Sequence, residues 1–393
     1  MSDGRFKRYQ WVALIGGGLG LLAAAVGAVL NWDQFWQSYL LGYIFWLEIG
    51  LGCLGLVMLH HLVGGRWSAL IRRVVESGAM TLPFMAVLFL PLLAGLTSLY
   101  SWTDATQVSQ SELLQHKSAY LNIPFFIIRA ALYFAIWAGL AYGLNRWSLA
   151  QDQANAVALA GRLRRLSAIG MILYILSATF AAIDWLMSLE PEWFSSIYGL
   201  QFLAGQALAG LALAIIGLAY WISRDPATPA SAVTGAFNDL GNFLLGFVMI
   251  WAYFSFSQFL IIWTANLPEE GIWYYHRSQG GWQVVGMFLV VVHFALPFLL
   301  LLSRTVKRRA QLLTLLALLI FMVRLADLFW LIGPAFHPAG FQLHWLDIVL
   351  PIAIGGGWVA VFFRQLAGKP LLPQYDPHLV EVDTHEQTKL VTP

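Results

Sequence analysis

Long apolar windows, each bounded by charged or turn-forming residues, recur from one end of the chain to the other. A helix of roughly 20 apolar residues crosses about 30 Å of hydrocarbon, and windows of that size predict ten helices. They fall at approximately 9–31, 35–63, 78–100, 119–144, 165–188, 195–222, 239–265, 281–303, 310–332 and 344–364. The predicted class is an all-α polytopic membrane protein. Residues 1–364 form a single transmembrane domain, and 365–393 form a polar, Pro-containing cytoplasmic tail, "PLLPQYDPHLVEVDTHEQTKLVTP" after Lys369.

Composition agrees: 59% of residues are hydrophobic and 11% charged, with a mean hydropathy of +0.70, far from a soluble domain. The start, "MSDGRFKRYQW", is basic but runs into a full-length span without a clean cleavage site, so it reads as a retained first helix. Charge position then gives direction, because cytoplasmic loops retain Lys and Arg. One set of loops carries Arg5, Lys7, Arg8, Arg66, Arg72, Arg73, Arg146, Arg162, Arg164, Arg165, Arg224, Arg304, Lys307, Arg308, Arg309, Arg364 and Lys369. The other carries only Lys117 and Arg277, together with Asp104, Glu112, Glu190, Glu192, Glu269 and Glu270. Every loop fits an even number of spans with both termini cytoplasmic.

Two short segments point to an internal repeat. The fifth predicted helix ends "AAIDWLMSLEPEWF" and the ninth "RLADLFWLIGPAF", so Asp184 and Asp327 each precede a Pro by seven residues, with Phe194 and Phe336 following. Four spans apart, they run in the same direction, as expected for a parallel repeat of two four-helix bundles, helices 2–5 and 6–9, flanked by helices 1 and 10.

Charges inside the spans are few: Glu48 in helix two, Arg129 in four, Asp184 in five, His293 in eight, Arg324 and Asp327 in nine, and Asp347 early in ten. Each costs at least ~2.5 kcal/mol at mid-bilayer and therefore faces a partner, the protein interior or water. Arg324 and Asp327 share a helix face at i,i+3. The helical rise places Asp184, Asp327 and Asp347 in the outer half, with Arg129 not far below. A single carboxylate and guanidinium cluster at that depth is expected, with Tyr253, Ser255, Ser257 and Gln258 as polar candidates to extend it. Glu48 and His293 have no evident partner. Either the charges lock helices together or they relay protons. His60, His61 and Asp239 lie near cytoplasmic ends as candidates for proton uptake. The histidines could instead sit at the headgroup boundary, and Asp239 could instead cap the seventh helix.

Several chemistries are excluded. One cysteine, Cys53, rules out a disulfide framework, a thiolate metal cage and a self-contained iron-sulfur centre. The histidines differ in depth, which excludes a bis-histidine haem b. No Walker sequence, dinucleotide fingerprint or zinc-ligand spacing occurs, and nucleic acid is not an expected partner. The 18 Trp and 14 Tyr read mostly as interfacial belts.

The runs "MLHHLVGGRWSALIRRVVESGAMTLPFMAVLFLPLL" (58–93), "HKSAYLNIPFFIIRAALYFAIWAGLAYGLNRWS" (116–148), "DWLMSLEPEWFSSIYG" (184–199), "WAYFSFSQFLIIWTANLPEE" (251–270) and "HFALPFLLLLSR" (293–304) resemble the polysulfide-reductase-type membrane subunits, in particular the smaller such subunit of alternative complex III. The resemblance covers roughly residues 40–365 and implies the ten-helix, two-bundle fold. It implies a bacterial cytoplasmic-membrane complex that oxidises quinol and passes electrons through iron-sulfur clusters and c-type haems held by partner subunits. Those partners are a larger sister membrane subunit, an iron-sulfur protein and c-type cytochromes. This chain would hold no redox metal, and whether it contacts quinol stays open. The positions of interest that the resemblance carries over are Asp184, Arg129, His293, Arg324 and Asp327, whereas Glu48 lies outside the matching runs. Asn238 and Asn242 flank Asp239 where a His and a Lys are expected.

Three functions therefore stand: a proton-handling subunit of such a complex, a scaffold of the same complex, and an independent proton-coupled transporter. Pro83, Pro91, Pro124, Pro297 and Pro351 interrupt spans but not at matching positions of the two bundles, which disfavours the transporter. The aromatic and acidic loop "NLPEEGIWYYHRSQGGW" is a candidate docking surface for extracytoplasmic partners.

Overall fold

The computed structural model describes residues 2–152, 156–223 and 230–372. Arg224 and the tail beyond residue 372 lie outside the described residues. Every regular element among the described residues is helical. Ten are long and apolar enough to cross a membrane: α1 (Gly4–Leu30), α2 (Trp32–Val63), α3 (Trp67–Leu99), α4 (Ile123–Gln151), α5 (Leu159–Leu189), α6 (Tyr198–Ile222), α7 (Ala232–Ala265), α8 (Trp282–Leu302), α9 (Ala310–Phe336) and α10 (Leu346–Leu366). Two boundaries move substantially. Helix α3 begins eleven residues before the predicted 78, because Arg72 and Arg73, which read as loop charges, are buried inside it together with Glu76. Helix α7 likewise begins well before residue 239.

Lipid offers little hydrophobic drive for helices to associate, so close backbone contact must do the work. Helices α2 and α6 are the most enclosed spans and join the two bundles. Their backbones touch at Gly52 and Gly210: a Cβ on Gly52 would lie 1.8 Å from the Gln206 carbonyl oxygen. In the first bundle α2 packs on α3 and α5, and α4 packs on α5. In the second, α6 packs on α7 and α9, and α8 bridges α7 and α9. Helices α1 and α10 lie together. They pair along their length, Gly17 and Gly356 meeting backbone to backbone, and α10 lays the pair against α2. Helices α1, α7 and α8 leave most of their surface exposed, including Leu22, Phe256, Trp263 and Met287, as expected for faces turned to hydrocarbon or another chain.

Helix α8 is irregular. It widens into a π-helical stretch, Leu289–Ala295, followed by Pro297, and such stretches occur often at functional positions. His293 lies within it.

Candidate functional site

Arg324 sits about 21 Å along α9 and Glu48 about 24 Å along the oppositely directed α2, at 1.5 Å per residue, so the two meet near mid-membrane. The guanidinium takes Glu48 as a fork, Nε donating to Oε1 at 3.2 Å and Nη2 to Oε2 at 2.7 Å. Its Nη1 donates to Asp327 Oδ2, one helical turn on. The indole Nε1 of Trp251, on α7, donates to the same oxygen at 3.3 Å. Helix α6 makes room with Gly205, where a Cβ would stand 2.2 Å from Arg324 Nη2. Four helices thus converge on a group of side chains sealed from solvent. Glu48, which has no evident partner in the sequence, is paired by a residue 276 positions away.

The stoichiometry of this triad is unequal. One guanidinium faces two carboxylates, which leaves one uncompensated negative charge if both are ionised, and an uncompensated charge in hydrocarbon is expensive. One proton held between Glu48 and Asp327 makes the triad neutral. Asp327 Oδ1 has no hydrogen-bond partner. His293 stands beside the triad, its ring edge-on to Trp251 with centroids 4.1 Å apart. Both its ring nitrogens are buried without a partner.

A second site lies in the first bundle. Arg129 on α4 grips Asp184 on α5 through Nε at 2.8 Å and Nη2 at 3.0 Å. The Tyr133 hydroxyl donates to Asp184 Oδ2 at 2.7 Å. Arg129 Nη1 donates to the Tyr120 carbonyl at 2.9 Å, and the guanidinium lies against the rings of Tyr120 and Phe125. Here one cation meets one anion, with the remaining oxygen and nitrogen atoms satisfied. Among the described residues no hydrogen bond or ion pair joins this site to the triad, so the single cluster expected from depth resolves into two. Asp347 joins neither. It accepts from Ser38 at 2.5 Å, Gln34 at 3.3 Å and the backbone N–H of His344 at 2.9 Å. Being in the first turn of α10, it is stabilised by the N-terminal end of the helix and needs no cation.

At the Arg-rich face the expected uptake residues also rearrange. His60 is buried with Nδ1 2.7 Å from the Ser68 hydroxyl, and His61 adjoins it, ring against ring. Asp239 is half-buried more than two turns inside α7, whose helix begins by Ala230, so it is not a cap. Its neighbour Asn242 accepts instead from Lys307 Nζ at 2.7 Å. Sequence reasoning missed the larger feature here. Arg72 bonds Glu76, Ser148 and Gln151, while Arg73 bonds Glu76, Ser148 and Asp152. The signal was present as i,i+3 and i,i+4 charge spacing.

Of the polar candidates on α7, Gln258 is buried between Ser195 and Tyr274, and Ser255 accepts from Gln201 Nε2 at 3.2 Å. Tyr253 points outward and extends nothing. Between α6, α7, α8 and α9 lies a cavity of about 600 Å³ whose wall includes Asp327, Trp251 and Gln201. The acidic-face loop forms a short helix, Pro268–Arg277, whose Tyr274 also lines this cavity. Arg277 anchors that helix by bonding Glu190 at 2.7 Å and the Leu331 carbonyl at 2.8 Å. No protein-family model matches the chain, and no curated protein matches it at a significant level.

Proposed function

We propose that this chain is the smaller membrane subunit of a quinol-oxidising electron-transport complex of the alternative complex III type. In this reading it sits in a bacterial cytoplasmic membrane with both termini cytoplasmic, and its Glu48–Arg324–Asp327 triad binds and releases one proton. The observation that carries the proton-handling role is the two-to-one charge count of a triad that bridges both bundles. A proton arriving at either carboxylate neutralises the triad, and its departure restores the charge that Arg324 and the Trp251 N–H partly offset. The assignment to this class of complex rests on the five sequence blocks between residues 58 and 304. Electron transfer belongs to the iron-sulfur protein and c-type cytochromes, since one cysteine cannot hold a cluster. The larger sister subunit would flank this chain in the membrane.

The scaffold reading has its own observation: Arg129 and Asp184 are charge-balanced and satisfied, so that pair locks α4 to α5. The test is gentle detergent purification of a tagged chain, followed by a haem spectrum and identification of the partners. Co-purifying c-type haem and an iron-sulfur protein are expected. In that complex Glu48→Gln should leave assembly intact and lower proton release per quinol oxidised. A colourless monomer active in substrate uptake would refute the assignment, and unchanged turnover and proton stoichiometry would refute the role of the triad.

A further inference from the structure

The short helix Pro268–Arg277 is a strap between α7 and α8 on the acidic face, yet its fastenings reach the loop that leads out of α5. Trp273 stacks on Trp193 of that loop, with ring centroids 4.6 Å apart and planes 14° from parallel. The Arg277 guanidinium lies 3.6 Å from the centroid of the Trp273 ring. Its Nη2 donates both to Glu190 Oε2 and to the Leu331 carbonyl. Leu331 is one helical turn beyond Asp327 on α9, so the strap joins the α5–α6 loop to the helix that carries two members of the triad. These fastenings do not respond to pH, because an arginine stays charged and stacked indoles do not titrate.

One fastening differs. His276, next to last in the strap, holds its Nδ1 3.3 Å from Oε1, the other oxygen of Glu190. Both side chains are half-buried, so the ring can exchange protons with water. A neutral imidazole gives the carboxylate an ordinary hydrogen bond, whereas an imidazolium gives a charge-assisted one, roughly twice as strong. The last turn of a helix also favours a cation. Arg277 opposes charge on the adjacent ring, but its own charge is matched by Glu190 at 2.7 Å. On the loop, Glu192 adds a second carboxylate near Glu190, and Lys117 is tied to the Pro191 carbonyl at 2.5 Å. Glu269 and Glu270 are about 10 Å away along the strap, and the nearby Tyr198 and Tyr275 are phenols, a class that stays neutral below pH ~9. We propose that His276 and Glu190 form a pH-sensitive latch, which tightens the strap over the outer end of α9 as the water at the acidic face is acidified. The added hold is present at low pH and is lost as pH rises and the ring becomes neutral. In the proposed function that acid is the complex's own released proton, so the latch senses accumulated product one turn from Asp327; this role rests on the proposed function, and the latch itself does not.

The test is hydrogen exchange by mass spectrometry on the full chain in lipid nanodiscs. It is read as protection factors of the peptide spanning residues 268–277, which removes the intrinsic pH dependence of exchange. Protection should rise about two- to five-fold from about pH 8 to about pH 5.5, the range across which histidine changes charge and the size expected of a partly exposed ion pair. His276→Gln keeps a hydrogen-bond donor beside Glu190 without a titratable ring, and should make protection independent of pH. His276→Lys, charged throughout, should give the high protection at both ends of the range, and serves if the glutamine variant does not fold. Protection in the parent chain that is flat or falls with acid, or a pH dependence that persists in either variant, would overturn the proposal. The proposed function fails by a different result, the absence of haem and iron-sulfur partners on purification, whether or not the latch responds.

Discussion

Two carboxylates of equal burial, Glu48 and Asp184, should respond very unequally to the same chemical change. Both are wholly enclosed and both are forked by an arginine. Replacing Asp184 by Asn leaves Arg129 without its anion and with Tyr133 bonded to a neutral amide. Removing one member of a buried ion pair costs about 3–5 kcal/mol, most of it the stranded charge. At about 1.4 kcal/mol per factor of ten, that is a hundredfold or more in the folded population. Replacing Glu48 by Gln keeps the shape and leaves Arg324 balanced by Asp327. The lost charge-assisted bond, ~1.5–3 kcal/mol, is offset by removal of the surplus negative charge, so a net change within about 1 kcal/mol is expected. Tryptophan-monitored unfolding in mixed micelles at neutral pH measures both variants against the parent chain. Equal destabilisation by the two substitutions would show that Glu48 is an ordinary ion-pair partner and that the charge count carries no weight. A larger penalty for Glu48→Gln than for Asp184→Asn would refute it more directly.

Gly52→Ala places a methyl group 1.8 Å from the Gln206 carbonyl oxygen, so α2 and α6 must separate. Overpacking of this kind costs ~1–3 kcal/mol or more, and a lowered melting temperature in fluorescence-detected size exclusion is expected, with no change there counting against the seam. At the acidic face, the carboxylate of Asp104 caps a short helix by accepting from the backbone N–H of Thr106 at 2.8 Å. That bond, with a weaker one from Gln107, holds its pKa below the ordinary 3.8. The cap's contribution is complete above the unfolded value and fades as pH falls through the lowered folded one. Amide-exchange protection at Thr106 should therefore decline only in strong acid, and Asp104→Ala should remove both the protection and its pH dependence.

How far the molecule could be read beforehand follows from which interactions are local. Ten spans were legible because hydrocarbon thickness sets a minimum apolar length. The errors in α3 and α7 arose where charges lie within a helix, since Arg72, Arg73 and Glu76 break a hydropathy window whether they face water or one another. Arg324 with Asp327 was legible as an i,i+3 pair. Glu48 with Arg324 was not, because nothing in either segment states which face of α2 meets α9. Asp347 was misassigned on depth alone, which cannot distinguish a helix N-terminus from a guanidinium as the compensating positive end. The cavity was invisible for another reason: Met249, Phe256 and Val290 look like any lipid-facing residues until four helices leave a space between them.

Asp184 and Asp327 lie toward the C-terminal ends of α5 and α9, each seven residues before a proline, yet the two sites use them differently. In the first, the arginine comes from the neighbouring α4, and a tyrosine completes a balanced lock. In the second, the arginine comes from α9 itself, one turn before the aspartate, so it remains free to reach across the seam to α2. The carboxylate it finds there, Glu48, belongs to the other bundle and has no counterpart in the Arg129–Asp184 site. The surplus charge is thus a product of the seam, made possible by the glycines that let α2 and α6 touch and by Gly205, which admits the guanidinium. Widening that seam should disturb the Glu48–Arg324–Asp327 triad while leaving the Arg129–Asp184 lock intact, because only the triad draws its members from both sides.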